Sequence, residues 1–261
     1  MPAKGSRGPW LWPLALALVG VALLLNNFLL LNEFDITTLW PLLLVVAGGA
    51  ILLRGDLLPS TEGRTFGITR GSVESGTLEI SSGEVDVILR HLQQEGRLIA
   101  GQFALHTRPT LQVQDTHAHL KLYRSATPWL SFSDWEMGLS RDLPWGLYVS
   151  TSLGQVNLDL SRLIVQGARI GTGFGDIRLT APQESFDSIS ARSTFGDIHF
   201  ITPPGYATQV TVRSSRLFNV RVDENRYQQI ESGVYRSRDA DVSARLTEVH
   251  LVGTFGDAYL T

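Results

Sequence analysis

His117 and His119 stand one residue apart, and that spacing suits chemistry. On a β-strand, residues i and i+2 share a face, so the two imidazoles could act as paired ligands to a metal such as zinc. No Cys, Asp or Glu in ligand spacing accompanies them, and exposed strand polarity explains them more simply. A second candidate is a repeated turn, "GFGDIRL" at 173–179, "TFGDIHF" at 194–200 and "TFGDAYL" at 254–260. Its aspartates, Asp176, Asp197 and Asp257, resemble in type the ligands of glycine- and aspartate-rich calcium-binding rolls. Those rolls repeat about every nine residues with several glycines each, and here the aspartate column also accepts Gln155. Glycine supplies a positive φ and aspartate bonds nearby backbone N–H groups, so Gly175–Asp176, Gly196–Asp197 and Gly256–Asp257 read as turn formers. The sequence carries no nucleophile elbow, phosphate loop or H-E-x-x-H helix. No catalytic residue, metal site or cofactor is expected, and the protein reads as non-enzymatic.

Composition narrows the partners. The 261 residues carry a net charge of -3, which gives no basic surplus for nucleic acid. The absence of cysteine rules out disulfides and thiolate chemistry.

Apolar residues concentrate at the start. Trp10–Leu31 contains 22 residues without a charge, and Ile36–Leu53 contains 18. At about 1.5 Å per residue the first run crosses a hydrocarbon core of ~30 Å, and the second is at the short end. Trp10, Trp12 and Trp40 lie near the ends of the runs, where interfacial aromatics sit. Lys4 and Arg7 precede the first run, Glu33 and Asp35 separate the two, and Arg54, Arg64 and Arg70 follow. The expectation is a two-span helical hairpin in a lipid bilayer, with both termini cytoplasmic. A single signal-anchor and a cleaved signal peptide are the alternatives; no small-x-small cleavage site follows the first run. Gly48 and Gly49 would let the helices approach closely. The domain reading is a cytoplasmic tail at 1–9, a membrane hairpin at 10–55, a linker at 56–75 and a repetitive all-β domain at 76–261.

Elements that position the aspartates emerge from a 21-residue register. Leu153, Phe174 and Phe195 are 21 apart, and Phe255 lies 60 further on, close to three more turns. Four residues before them stand Val149, Ile170, Ala191 and Leu251; three after stand Val156, Ile177, Ile198 and Ala258. The next position holds Asn157, Arg178, His199 and Tyr259, all able to face water, and Gly154, Gly175, Gly196 and Gly256 follow the anchor in every copy. A fainter copy, "LEISSGEVDV", aligns Leu78, Gly83, Val85 and Val87, with Glu84 in the aspartate column. Period-2 alternation around a fixed glycine implies strand, turn, strand, and one such unit cannot bury its own face. The expected fold is a β-solenoid-like stack, with a β-sandwich as the alternative.

One stretch interrupts the pattern. Trp129, Phe132, Trp135, Met137 and Trp145 crowd into 17 residues. They read either as a cap on the end of the stack or as a partner surface.

The segment "WPLLLVVAGGAILLRG" at 40–55 resembles the membrane segment of LiaF-like and LiaI-like bacterial proteins. "DLPWGLYVSTSLGQVNLDLSRLIVQGARIGTGFGDIRL" at 142–179 resembles the LiaF-type C-terminal domain, related to the toastrack and adhesin-type β domains. The resemblance implies a non-enzymatic plasma-membrane protein that modulates envelope-stress signalling through a membrane sensor kinase or another membrane protein. LiaF itself has four spans where two are read here. A self-assembling scaffold, with a homo-oligomer as the partner, and an exported adhesin are the other functional readings.

Overall fold

The structure, a computed structural model, describes residues 64–103, 109–123, 133–240 and 244–261, all within the compact unit Asp56–Thr261. Every regular element among them is a strand. This corrects the expected fold class of a transmembrane helical hairpin joined to a β domain, because the described residues contain no helix. Among them, no helix is long and apolar enough to cross a membrane. The hairpin reading falls on 10–55, which lies outside the described residues, as do Gly48 and Gly49.

In chain order the strands begin β1 (Arg64–Thr69), β2 (Ser75–His91), β3 (Arg97–Phe103), β4 (Thr110–Gln114), β5 (His117–Tyr123) and β6 (Ser133–Leu139). Then come β7 (Pro144–Leu153), β8 (Val156–Asp159), β9 (Ile164–Phe174), β10 (Ile177–Thr180), β11 (Glu184–Ser185), β12 (Ile189–Phe195) and β13 (Ile198–Ile201). The last are β14 (Thr208–Arg213), β15 (Phe218–Val222), β16 (Tyr227–Glu231), β17 (Val234–Ser237) and β18 (Thr247–Leu260).

Each coil runs along one face, turns a corner and returns along a second. The first face stacks β5, β2, β7, β9, β12, β18 and β14 in parallel. The second stacks β6, β2, β8, β10, β13, β18 and β15, again in parallel. Among the described residues, antiparallel pairing is confined to the ends, at β1–β3–β6, β4–β5 and β14–β17–β16. A β-sandwich of hairpins would be antiparallel throughout, so that alternative is set aside.

Two long strands interleave out of chain order. β18 lies between β12–β13 and β14–β15, so Phe195 pairs directly with Phe255. The 60-residue interval therefore does not hold three intervening turns; β14 and β15 form the coil beyond β18, and β17 and β16 pair onto its edge. β2 is likewise inserted, between β5–β6 and β7–β8. Its register differs by two residues from the sequence alignment. Leu78 pairs with Leu147, Val87 with Val156, and Glu84 with Leu153, which leaves Asp86 in the aspartate column. A two-residue slip keeps every side chain on its face, so alternation alone could not detect it.

Inside, aliphatic columns run the length of the stack: Leu147, Ala168, Ile189 and Val249 on one face, and Leu158, Leu179, Phe200 and Leu260 on the other, all buried. Ile177 and Ile198 are 0% exposed and paired, as stacking requires. Each buried Val, Leu, Ile or Phe among them contributes about 1.5–3 kcal/mol by leaving water. Where Gly253 replaces a small polar residue, the Phe218 ring fills the space; a Cβ there would lie 2.0 Å from it. Tyr227 is buried beside the last coil, its hydroxyl bonded to Thr202.

Candidate interaction surface

The corner between the faces sets the site. Gly175 and Gly196 adopt φ of 139° and 137°, a region L side chains rarely enter. A Cβ on either would lie 2.2 Å from the carbonyl oxygen of the corresponding glycine in the neighbouring coil. Gly154 and Gly256 take the same form, so the column is glycine because successive corners nest backbone on backbone.

The aspartates hold that nesting together. Asp176 Oδ1 accepts the N–H of Asp197 at 2.8 Å, and Asp197 Oδ1 accepts that of Asp257 at 2.8 Å. Asp86 does the same for Gln155 at 2.6 Å. These are charge-assisted bonds to backbone donors, and they give the aspartates a structural role. Among the described residues, no group of three His, Asp or Glu could hold a metal ion. His117 bonds Ser75 Oγ at 2.7 Å and Thr77 Oγ1 at 3.0 Å, while His119 Nε2 lies 3.3 Å from Glu79. The two histidines are thus separately engaged on the outer face.

Turning the corner also brings out the anchor column. Strand alternation would bury it, since the residues two and four before it point inward, but the glycine that follows redirects the chain. Leu153, Phe174, Phe195 and Phe255 are 37%, 52%, 39% and 38% exposed. Leu217, one coil beyond, extends the line at 57%, with its carbonyl accepting the Gly256 N–H. The phenylalanine rings stack with centroids 4.6 and 4.5 Å apart and planes within 4°. Five apolar side chains therefore form a continuous external ridge, one per coil. On a protein of this size such a contiguous apolar line marks an interaction site more often than chance exposure.

Charged side chains flank the ridge. On the second-face side stand Asp176, Asp197 and Asp257 together with exposed Arg178 and Arg221, the latter paired with Asp257 at 3.1 Å. On the first-face side stand Arg192, Arg213 and Arg216, all exposed and without an ion pair among the described residues.

The aromatic cluster divides. Trp135 and Trp145 are 0% exposed and sit in the core, Trp145 donating its indole N–H to Ser140 O at 2.9 Å. Neither reaches the surface. Trp129 and Phe132 lie outside the described residues. Among the described residues the exposed aromatics include the repeat anchors Phe174, Phe195 and Phe255, together with Tyr123, Tyr148 and Phe186. The signal of the anchors was present as a phenylalanine column out of phase with the inward alternation. Leu217 had none, because its coil lacks the glycine.

A cleft of about 530 Å³ lies elsewhere, between Arg141, Asp142, Arg162, Gln183, Glu184 and Tyr206. Its two arginines and two carboxylates balance, so it selects no ligand class. Nearby, burial holds the His91 imidazole below its usual range, Arg162 adding to the effect and Asp159 opposing it. The folded protein then binds this proton less readily than the unfolded chain, so stability is lost as pH falls below about 6.5. Denaturant unfolding followed from about pH 7.5 to pH 5 should show that loss, and His91→Gln should flatten it. Equal slopes in the two proteins would refute the assignment.

Residues 61–196 match a protein family described as the N-terminal domain of toast_rack, DUF2154. No curated protein matches the sequence. Among solved structures, the chain is similar to one described as a "putative cell adhesion protein" from Clostridium sporogenes ATCC 15579, at 14% identity and a TM-score of 0.66, over 76% of this chain and 98% of that one. Another, a "putative adhesin" from Bacteroides fragilis NCTC 9343, matches at 12% identity and a TM-score of 0.33, over 78% and 99%.

Proposed function

Because the chain belongs to the toast_rack N-terminal domain family, we propose that it is a non-enzymatic protein-interaction module whose docking surface is the Leu153–Phe174–Phe195–Phe255–Leu217 ridge. The exposure of three stacked phenylalanines on a rigid corner carries this reading. Exposed rings offer apolar area that only a partner can remove from water, and the nested backbone holds them in place at little further entropic cost. The finer role is modulation of envelope-stress signalling, as the LiaF-like segments imply, with the two apolar runs keeping the domain at the bacterial plasma membrane on its cytoplasmic side. An adhesin role needs the opposite placement, and protease added to intact cells separates the two. A cytoplasmic domain stays protected; cleavage within 76–261 removes the signalling reading.

A photo-crosslinking amino acid at Phe174 in the full chain, expressed in cells, should give protein adducts. The same residue at Glu248, on the outer face away from the ridge, should not. Leu217→Asp should cut the adducts sharply while changing unfolding free energy by no more than about 0.5–1 kcal/mol, because that side chain is 57% exposed already. Absence of any protein adduct from Phe174 would end the interaction reading.

A further inference from the structure

We infer that the partner meets the ridge with an acidic segment: its apolar side chains cover the end formed by Phe195, Phe255 and Leu217, and its carboxylates pair with Arg192, Arg213 and Arg216. This rests on the ridge being an interaction surface and adds the chemistry of what it binds. Register supplies the argument. Arg192 pairs with Val252 and Val252 with Arg213, so the two arginines share one outward column, about 10 Å apart at the ~4.8 Å strand spacing. Arg216 directly precedes Leu217, which is 57% exposed. All three guanidinium groups are exposed, and none has an ion pair among the described residues. The outward residues around them, Ser190, Thr194, His250 and Thr254, include no carboxylate. Glu248 lies four residues back from Val252, about 13 Å along the strand at ~3.3 Å per residue.

Across the ridge the carboxylates are largely committed within the chain. Asp257 pairs with Arg221 at 3.1 Å, and Asp197 gives one oxygen to the Asp257 N–H at 2.8 Å. Asp176 gives one to the Asp197 N–H and has exposed Arg178 two residues on, on the same face. Around Phe195, Phe255 and Leu217, four arginines (Arg192, Arg213, Arg216 and Arg221) thus meet two aspartates (Asp197 and Asp257), a cationic surplus. At the opposite end Glu84 stands level with Leu153, so the surplus belongs to the β12–β14 end. A guanidinium offers a planar pair of donors that a carboxylate fits, and the pairing strengthens where neighbouring apolar contacts exclude water. An anionic lipid surface is broad and would press on Asp176 and Asp197 as well. A protein segment is narrow enough to lie on the ridge and one side of it, which favours protein.

The test uses the full chain in cells with the photo-crosslinking amino acid at Phe174. Mass spectrometry of the adduct should find more Asp and Glu than Lys and Arg in the partner peptide joined to it. Arg192→Glu with Arg213→Glu should cut the adduct yield about tenfold, and Arg192→Gln with Arg213→Gln should cut it less. In isolated membranes, raised salt should lower the parent's yield more than that of the double Glu variant. Leu217→Lys and Leu217→Asp remove the same apolar contact, so a purely apolar contact gives them equal yields; an acidic partner gives a several-fold higher yield with Leu217→Lys. A linked peptide without the acidic surplus, whether from another protein or from a second copy of this chain, would overturn the assignment. So would full yield from both arginine double variants, or equal yields from the two Leu217 variants. Each of these leaves the interaction reading standing. Loss of every protein adduct, with lipid adducts in their place or with none, would remove both.

Discussion

Trp145→Ala lowers the unfolding free energy by about 3–5 kcal/mol, the range for emptying a buried aromatic site. Trp145 is wholly enclosed, and its indole N–H is bonded to Ser140 O at 2.9 Å. A Cβ on Gly76 would fall 2.4 Å from its ring, so the neighbouring strand is already in contact and has no side chain to move into the void. Loss of the ring also leaves a buried carbonyl without its donor, which adds to the cavity term. Trp145→Phe keeps much of the volume and loses only the hydrogen bond, and its cost should be clearly smaller. Chemical denaturation of the two variants checks this. Equal, small effects would mean that the indole is not part of the packed interior.

Gly196→Ala costs about 3 kcal/mol or more, an effect of the size reserved for strained or overpacked sites. Two causes combine. The φ of 137° is unfavourable for any L side chain, and a methyl group would lie 2.2 Å from the Gly175 carbonyl oxygen. The clash is with backbone, which cannot rotate away. Relief would require the coils to separate at the corner, stretching the bonds from Gly175 N–H to Phe195 O and from Asp197 N–H to Asp176. Gly171, on the same stack, has open space at its Cβ position and no unusual φ. Gly171→Ala is the control and should leave the thermal midpoint nearly unchanged. Parity between the two substitutions would show that the corners do not nest.

Much of the fold was written in the repeat. Alternation told which side chains face inward, the glycine column located the corners, and 21-residue spacing required stacking because a lone coil has no core. The aspartates were read as shape; in the structure Asp176 and Asp197 accept backbone N–H groups of the next coil. Three features were not legible. The two-residue register of β2 was hidden because a slip by two preserves every face. The insertion of β18 beside β12 was hidden because chain distance does not report which coil pairs with which. The exposure of the phenylalanines was hidden because a hydrophobic anchor in a repeat looks the same whether it turns in or out.

From its residues alone, then, this chain settles that it makes repeating strands with one apolar face and glycine corners, since side-chain period and backbone freedom are local properties. Which strands become neighbours, and on which side of the corner the aromatic column emerges, depends on contacts between residues far apart in the chain. Only packing selects among registers that are locally equivalent, so only the folded structure places the anchor column on the outside as a continuous apolar ridge.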